Sequence, residues 1–348
     1  MNAVLKPTAA QAPEADRSQF LGGSDAAAVM GVSPWSTPVE LWQEKTGRRR
    51  KDPVDPMRAR ILARGQKLEP FIREMAIDKL RDRGLQVDLL ACNQRYQDPE
   101  HPFLACEIDF ELLVTGQVVV AGELLELERE HINVDAKSVS GFARKKWGEV
   151  DTEDVPIEYA AQFMHGLMVT GRSLCLVAAL RSFDDVDLFW TRRDEETIAG
   201  MRAKEVDFWV NHVLADQAPD PFTFSDIKAL FPLDNGQAIE ATDEIAEKVA
   251  QLKLIGEQRR DWEKAEEVLK FEVGEYISPN TRLTYKGADL CTWKGQNDTR
   301  LDQQQLAEAE IYRRDTDTGE FVRIADPVAE FTRTKVIRVL RHVKRRTR

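Results

Sequence analysis

The chain has few cysteines, four in 348 residues. Cys92, Cys106, Cys175 and Cys291 form no C-x-x-C pair, which argues against a zinc or iron–sulfur centre and fits free core-filling thiols in a reducing compartment. Also absent is any run of about 18 apolar residues, so no segment reads as a membrane span. The opening Met1-Asn2-Ala3-Val4-Leu5-Lys6-Pro7 lacks an apolar signal core, and a soluble cytoplasmic protein is expected. What remains is 42% hydrophobic with a net charge of −11, enough to bury one large core with an appendage, or two domains.

The acidity is unevenly spread. Phe331 to Arg348 contains eight basic residues and no acid, which leaves the rest of the chain more acidic still. Arg48-Arg49-Arg50-Lys51 and Arg144-Lys145-Lys146 add two further basic clusters. Affinity for a polyanion follows such local charge rather than the total, so nucleic acid stays admissible as a partner, confined to a basic track. The plainer reading of each cluster is a solvated face or a loose tail.

Residues 1–16, rich in Ala and Pro, read as a disordered lead. Thr37-Pro38-Val39-Glu40 is a capping box with Pro at the first helical position and Gly47 beyond the end, predicting a helix over 38–46. Helical spacing of Ile61, Leu62, Leu68, Phe71, Ile72, Met75 and Leu80 predicts a second helix over 57–83, with Gly84 as its stop and a kink or break beside Glu69 at Pro70. Strands and turns follow from Leu85 to Val139. A helix is expected from Tyr159 to Gly171, strands at 174–181 and 186–191, and a long helix over 194–214. Ala218-Pro219-Asp220-Pro221 signals a linker. Beyond it, 242–276 reads as a helical hairpin or coiled-coil arm, and 282–294 and 320–324 as short strands. The domain division is therefore a lead (1–16), a core (17–216), and an extension (217–348) carrying the helical arm and a basic tail at 331–348.

The chemistry concentrates in Asn133-Val134-Asp135-Ala136-Lys137-Ser138. On a strand, Asp135 and Lys137 point to the same face. Upstream, Asp109 sits in the apolar Leu104-Ala105-Cys106-Glu107-Ile108-Asp109-Phe110, where a carboxylate is costly unless paired or bound to a cation. Two carboxylates converging from adjacent strands offer hard oxygen ligands suited to Mg²⁺ or Mn²⁺. The Lys137 ammonium beside them would polarise an attacking water or neutralise charge on a phosphate. Alone, the pattern is weak, and the plainer reading is a strand edge with a solvated ion pair.

Further segments flank this pattern. They are Phe20-Leu21-Gly22-Gly23-Ser24-Asp25-Ala26-Ala27-Ala28-Val29-Met30-Gly31, Ser33-Pro34-Trp35, Thr37 to Gly47, Arg64-Gly65-Gln66-Lys67-Leu68-Glu69-Pro70, Val155 to Gln162, and Val169-Thr170-Gly171. In this order they resemble the YqaJ-like viral recombinases, relatives of phage lambda exonuclease in the PD-(D/E)xK nuclease superfamily, over roughly residues 17–190. The resemblance implies an α/β fold with a restriction-endonuclease-like core, a central mixed sheet flanked by helices, followed by a helical and small α+β extension. It assigns Asp109, Asp135 and the main-chain carbonyl of Ala136 as metal ligands, Glu69 as a helix carboxylate reaching the metal directly or through water, Lys137 as the lysine near the water, and Gln162 as the helix glutamine touching the site. Arg17 and Ser24 match a pair that holds the 5′ phosphate. Arg144, Lys145 and Lys146 lie where a DNA strand passes.

Two departures stand out. The family's Glu in E-x-K is here Asp135, one methylene shorter, so a cation would sit closer to the strand. Glu107 stands where the lambda enzyme carries a phosphate-binding serine, and its charge opposes strict dependence on a 5′ phosphate. The expectation is a Mg²⁺-dependent 5′→3′ double-strand DNA exonuclease of phage or prophage recombination, with Mn²⁺ as a substitute metal. The resemblance also implies DNA ends as substrate, a single-strand annealing protein as partner and a ring-shaped trimer. The alternatives are a structure-specific or nicking endonuclease and a catalytically silent DNA-end-binding protein.

Overall fold

The computed structural model describes residues 8–10, 16–48, 56–140, 143–181, 185–294, 310–314 and 320–326. It divides into two compact units, Met1–Leu230 and Phe231–Arg348.

The first unit is built on one six-stranded sheet with helices on both faces. In chain order its elements are β1 (Thr8–Ala10), α1 (Gly23–Val29), α2 (Pro38–Lys45), α3 (Pro56–Asp82), β2 (Gln86–Gln97), β3 (Ala105–Val120), β4 (Glu123–Ser138), α4 (Ile157–Thr170), β5 (Leu174–Leu180), β6 (Val186–Arg192), α5 (Glu195–Asp207) and α6 (Phe224–Leu230). Spatial order follows sequence order. β2, β3 and β4 form an antiparallel meander, whose β3–β4 turn uses positive φ at both Ala121 and Gly122, the twist that two-residue hairpins favour. β5 runs parallel to β4, which requires a crossover, and α4 supplies it. β6 returns antiparallel to β5.

β5 reads Leu-Cys-Leu-Val-Ala-Ala-Leu and is buried along nearly its whole length, as expected of a strand covered on both faces. On one face Ile72, Ala76 and Leu80 of α3 pack with Phe110, Leu112, Ile132, Leu176, Leu188 and Trp190. Alternate residues of the same strands, Cys175, Val177 and Ala179, meet Phe163 and Leu167 of α4.

Several expectations need correction. α3 is not broken at Pro70 but runs as one helix through it. The lost N–H and the clash with the preceding turn cost about 3 kcal/mol, a penalty that burial of Ile72, Ala76 and Leu80 against the sheet offsets. Ile61, Leu62 and Phe71 of the expected apolar stripe are exposed. Thr8–Ala10, inside the expected lead, pairs with β2 as an edge strand. The first unit extends past residue 216 because α6 packs on α2, where Thr37 Oγ1 donates to Asp226 Oδ1 at 2.5 Å. The 194–214 helix is Asp194-capped and continues from α5 as a π-helix over Phe208–Leu214.

In the second unit, α7 (Asp243–Ile277) is a single helix, not a hairpin, capped by Thr242. Two small antiparallel pairs accompany it, β7 (Arg282–Tyr285) with β8 (Ala288–Thr292) and β9 (Tyr312–Arg314) with β10 (Phe321–Arg323). The basic tail at 331–348 and Arg49 to Lys51 lie outside the described residues. Among the described residues no helix is long and apolar enough to cross a membrane.

Candidate active site

Asp135 and Lys137 lie on the face of β4 that α4 covers. Lys137 Nζ stands 2.6 Å from Asp135 Oδ1 and donates to Gln162 Oε1 at 3.3 Å. Gln162 Nε2 donates to Asp135 Oδ2 at 3.0 Å. α4 thus closes a three-membered ring of side chains, Asp135, Lys137 and Gln162, in which one amide restrains both charged groups. Asp109, on the neighbouring β3, accepts a 2.8 Å hydrogen bond from the Ala136 main-chain N–H. The β3–β4 register, with Phe110 opposite Val134, brings the two carboxylates side by side.

The electrostatics follow from this crowding. Burial, then repulsion from Asp135, pushes the Asp109 carboxyl up to about 7. Burial pulls the Lys137 ammonium down, but Asp135 and Asp109 outweigh it and its pKa ends above the usual lysine value. On α3, the Glu69 carboxyl is raised by burial and by Asp135, so it lies within the field of the same cluster. Three carboxyl groups are thus crowded around one ammonium in a partly buried place.

A divalent cation fits this donor set. Asp135 Oδ1 is buried and, although close to Lys137 Nζ, receives no hydrogen bond of acceptable geometry. Such an oxygen, ion-paired but without a well-formed hydrogen bond, keeps a lone pair that a hard cation could use. Among the described residues no group of three His, Cys, Asp or Glu side chains stands ready to hold a metal. A cation here would therefore rest on Asp109, Asp135, a main-chain carbonyl and water, the sparse protein shell that Mg²⁺ accepts.

A cavity of about 170 Å³ opens beside these residues, lined by Asp109, Asp135 and Gln162 together with Arg17, Ser24 and Glu107. The segment 17–24 is laid along the start of β3: Leu21 N–H donates to Phe103 O at 2.7 Å, and Ala105 N–H to Leu21 O at 2.9 Å. Arg17 donates to Ser24 Oγ at 2.6 Å, and its guanidinium is 3.7 Å from Asp25. Glu107 is exposed. Arg144, Lys145 and Lys146 form an exposed 3-10 turn past β4, and Lys146 Nζ is 3.5 Å from Glu158. Arg48 is engaged by Asp216.

Sequence reasoning missed Lys45. Its side chain is fully buried, and its ammonium donates to Asp25 Oδ2 at 2.7 Å, Arg17 O at 2.7 Å and Phe20 O at 2.6 Å. This one residue of α2 ties down the loop that carries Arg17 and Ser24. The only sequence signal was a lysine at the end of an otherwise apolar helix face. Gly23 was also passed over: a Cβ there would stand 3.2 Å from Gln162 Cγ and 3.3 Å from Gln162 O, so the absent side chain lets α1 approach α4.

Residues 14–173 match the model of the YqaJ-like viral recombinase domain. The chain is 26% identical over 299 residues to an uncharacterized protein, YqaJ, of Bacillus subtilis, covering 84% of this chain and 85% of that one. Among solved structures it is similar to an alkaline exonuclease, LHK-Exo, of Laribacter hongkongensis, at 19% identity and a TM-score of 0.38, covering 62% of this chain and 96% of the other. The same enzyme in complex with dAMP matches at 18% identity and a TM-score of 0.37, with the same coverage.

Proposed function

From the match of residues 14–173 to the YqaJ-like viral recombinase domain, we propose that the protein is a divalent-metal-dependent deoxyribonuclease. It digests duplex DNA from its ends in the 5′→3′ direction and leaves 3′ single-stranded tails for recombination in a phage or prophage setting. The observation that carries this reading is the convergence of Asp109, Asp135, Lys137 and Gln162 from three elements.

Asp109, Asp135 and the Ala136 carbonyl would hold the cation, Mg²⁺ with Mn²⁺ as a substitute, and Glu69 would reach it directly or through water. When bound, the cation supplies a Lewis acid for the phosphoryl oxygen and lowers the pKa of water. Lys137, kept protonated by its two carboxylate neighbours, presents positive charge where negative charge builds on the phosphate. Gln162 sets the Asp135 rotamer before substrate arrives. Arg17 and Ser24 together make a donor pair for a terminal 5′ phosphate, and Arg144, Lys145 and Lys146 contact the DNA backbone. Glu107, lining the same cavity, opposes absolute dependence on that phosphate. The product is the substrate of a single-strand annealing protein, and the enzyme works as a homo-oligomeric ring.

Digestion of linear and closed circular duplex DNA, each with Mg²⁺ and with EDTA, tests the reading. Loss of linear DNA alone, and only with Mg²⁺, is expected. Cutting of closed circles would make the protein an endonuclease, and end binding without digestion a silent end-recognition subunit. Arg17→Ala is expected to slow digestion of 5′-phosphorylated ends more than of 5′-hydroxyl ends; equal slowing would remove Arg17 and Ser24 from end recognition.

A further inference from the structure

We propose that Trp35, backed by Tyr159, is a stacking site for an unpaired nucleobase at the DNA end, beside Lys137. The inference rests on the reading of duplex ends as substrate and extends it to a contact with a base. Of the first unit's tryptophans, Trp42, Trp147, Trp190 and Trp209 are buried, whereas Trp35 is 55% exposed. An indole left in water forgoes one of the larger burial gains available to any side chain. The loop bearing it is nonetheless fixed. Ser33 Oγ accepts hydrogen bonds from the N–H groups of Trp35 at 3.1 Å and Ser36 at 3.2 Å, and the capping box of Thr37 and Glu40 locks the next residues into α2.

Behind Trp35 an aromatic row leads toward the chemistry. Its ring centroid is 5.7 Å from that of Tyr159, which is 5.7 Å from Trp147 and 6.4 Å from Phe163. Lys137 Nζ stands 5.3 Å from the Tyr159 ring centroid. Tyr159 precedes Gln162 by one helical turn of α4, so the aromatic platform and the catalytic amide share one rigid support. Positive charge lies alongside. Trp147 directly follows the exposed Arg144-Lys145-Lys146 turn, and Lys146 reaches Glu158, the neighbour of Tyr159. An aromatic face flanked by basic side chains is what single-stranded nucleic acid needs, rings for the bases and cations for the phosphates. A base still stacked within a duplex has no free face to offer, so the occupant is a terminal or splayed base. Because every base has a π-face, the site is indifferent to sequence.

The test uses short duplexes with 2-aminopurine as the last nucleotide of each strand in turn, titrated with the full-length protein in EDTA so that nothing is cut. Wild type and Trp35→Phe are expected to quench the fluorescence of one of the two labelled ends. Trp35→Ala should lose the quenching and bind on the order of 5- to 100-fold more weakly. Its salt dependence should stay unchanged, because a stacked base releases no counterions, whereas Arg144→Ala should flatten the slope. Wild type that cuts linear DNA while Trp35→Ala quenches and binds as wild type does would overturn this inference alone. Wild type that neither cuts nor binds duplex ends would overturn the functional reading with it. A changed salt slope in Trp35→Ala would make the residue a support for the basic turn and not a base contact.

Discussion

Of the residues of α4, nine are buried, while in the much longer α7 only Ile277 is. Both helices carry apolar residues at helical spacing, and both form. α4 is apolar enough to be pressed between sheet and outer helices, with Phe163, Leu167 and Met168 in the core. α7 leaves Ile245, Val249, Leu252, Ile255 and Trp262 exposed, and its support is local: a Thr242 cap and i,i+4 pairs such as Lys248–Glu244 at 2.6 Å and Lys270–Glu266 at 2.9 Å. Such pairs add only about 0.2–0.5 kcal/mol each. The contrast teaches that periodicity selects the helix, and a partner surface decides whether its stripe becomes a core. The candidate site draws on the buried helix, where Gln162 has the packed support to hold two charged neighbours in fixed positions.

The largest way to sharpen that contrast is catalytic. Asp135→Ala or Lys137→Ala is expected to lower nuclease turnover on the order of 10²–10³-fold, or further if the metal is lost, with the circular dichroism spectrum unchanged. Trp262→Ala in α7 should leave turnover as it was. Digestion rates of end-labelled linear DNA decide it; wild-type rates for Asp135→Ala would move the site elsewhere.

A second comparison sets stability against burial. Leu176→Ala in β5, where the side chain is fully buried, should cost about 2–5 kcal/mol by loss of transfer energy plus a cavity. Leu252→Ala in α7, 45% exposed, should change stability by less than about 0.5 kcal/mol. Urea denaturation of both variants measures the difference. A cost for Leu252→Ala as large as that for Leu176→Ala would show that α7 has a partner surface in solution.

The smallest effect concerns a charge pair on the inner face of α4. His165, fully buried, sits 2.9 Å from Glu205 and the same distance from the Ala105 carbonyl oxygen. Burial pulls the imidazolium down, but Glu205 outweighs it and the His165 pKa lies above its ordinary 6.5. A raised folded pKa means that the stabilisation is fully present below that ordinary value and is lost as pH rises through the folded one. The wild-type melting temperature should therefore fall, as pH rises above the ordinary 6.5 of histidine, more steeply than that of Glu205→Gln. Parallel curves for the two proteins would show that Glu205 does not hold the proton on His165.

Much of this architecture was legible in advance because it is local. The Thr37–Glu40 capping box forms as its spacing predicts, Gly171 ends α4 with φ of +73°, and Asp194 caps α5. Local rules were overridden at Pro70, where burial of Ile72, Ala76 and Leu80 on its C-terminal side holds one helix through it; at 242–276 the apolar stripe admitted a hairpin or a coiled-coil arm, and the single helix excludes only the hairpin. The N-terminal three-residue strand was invisible for the opposite reason: its pairing comes from β2, and its own residues carry no strand signal.

By itself the sequence determined that Asp135 and Lys137 share a face, since side chains on a strand alternate with a period of two. It also placed a helix from Tyr159 to Gly171 between the strands after residue 85 and those at 174–181 and 186–191, as the structure has it. The tertiary structure alone decided that Asp109 lies against Ala136, because this depends on the β3–β4 register. It alone decided that Gln162 reaches both Asp135 and Lys137, because this depends on how α4 crosses the sheet. The burial of Lys45 beneath Arg17 is of the same kind, for an ammonium can leave water only where acceptors from distant parts of the chain already surround it.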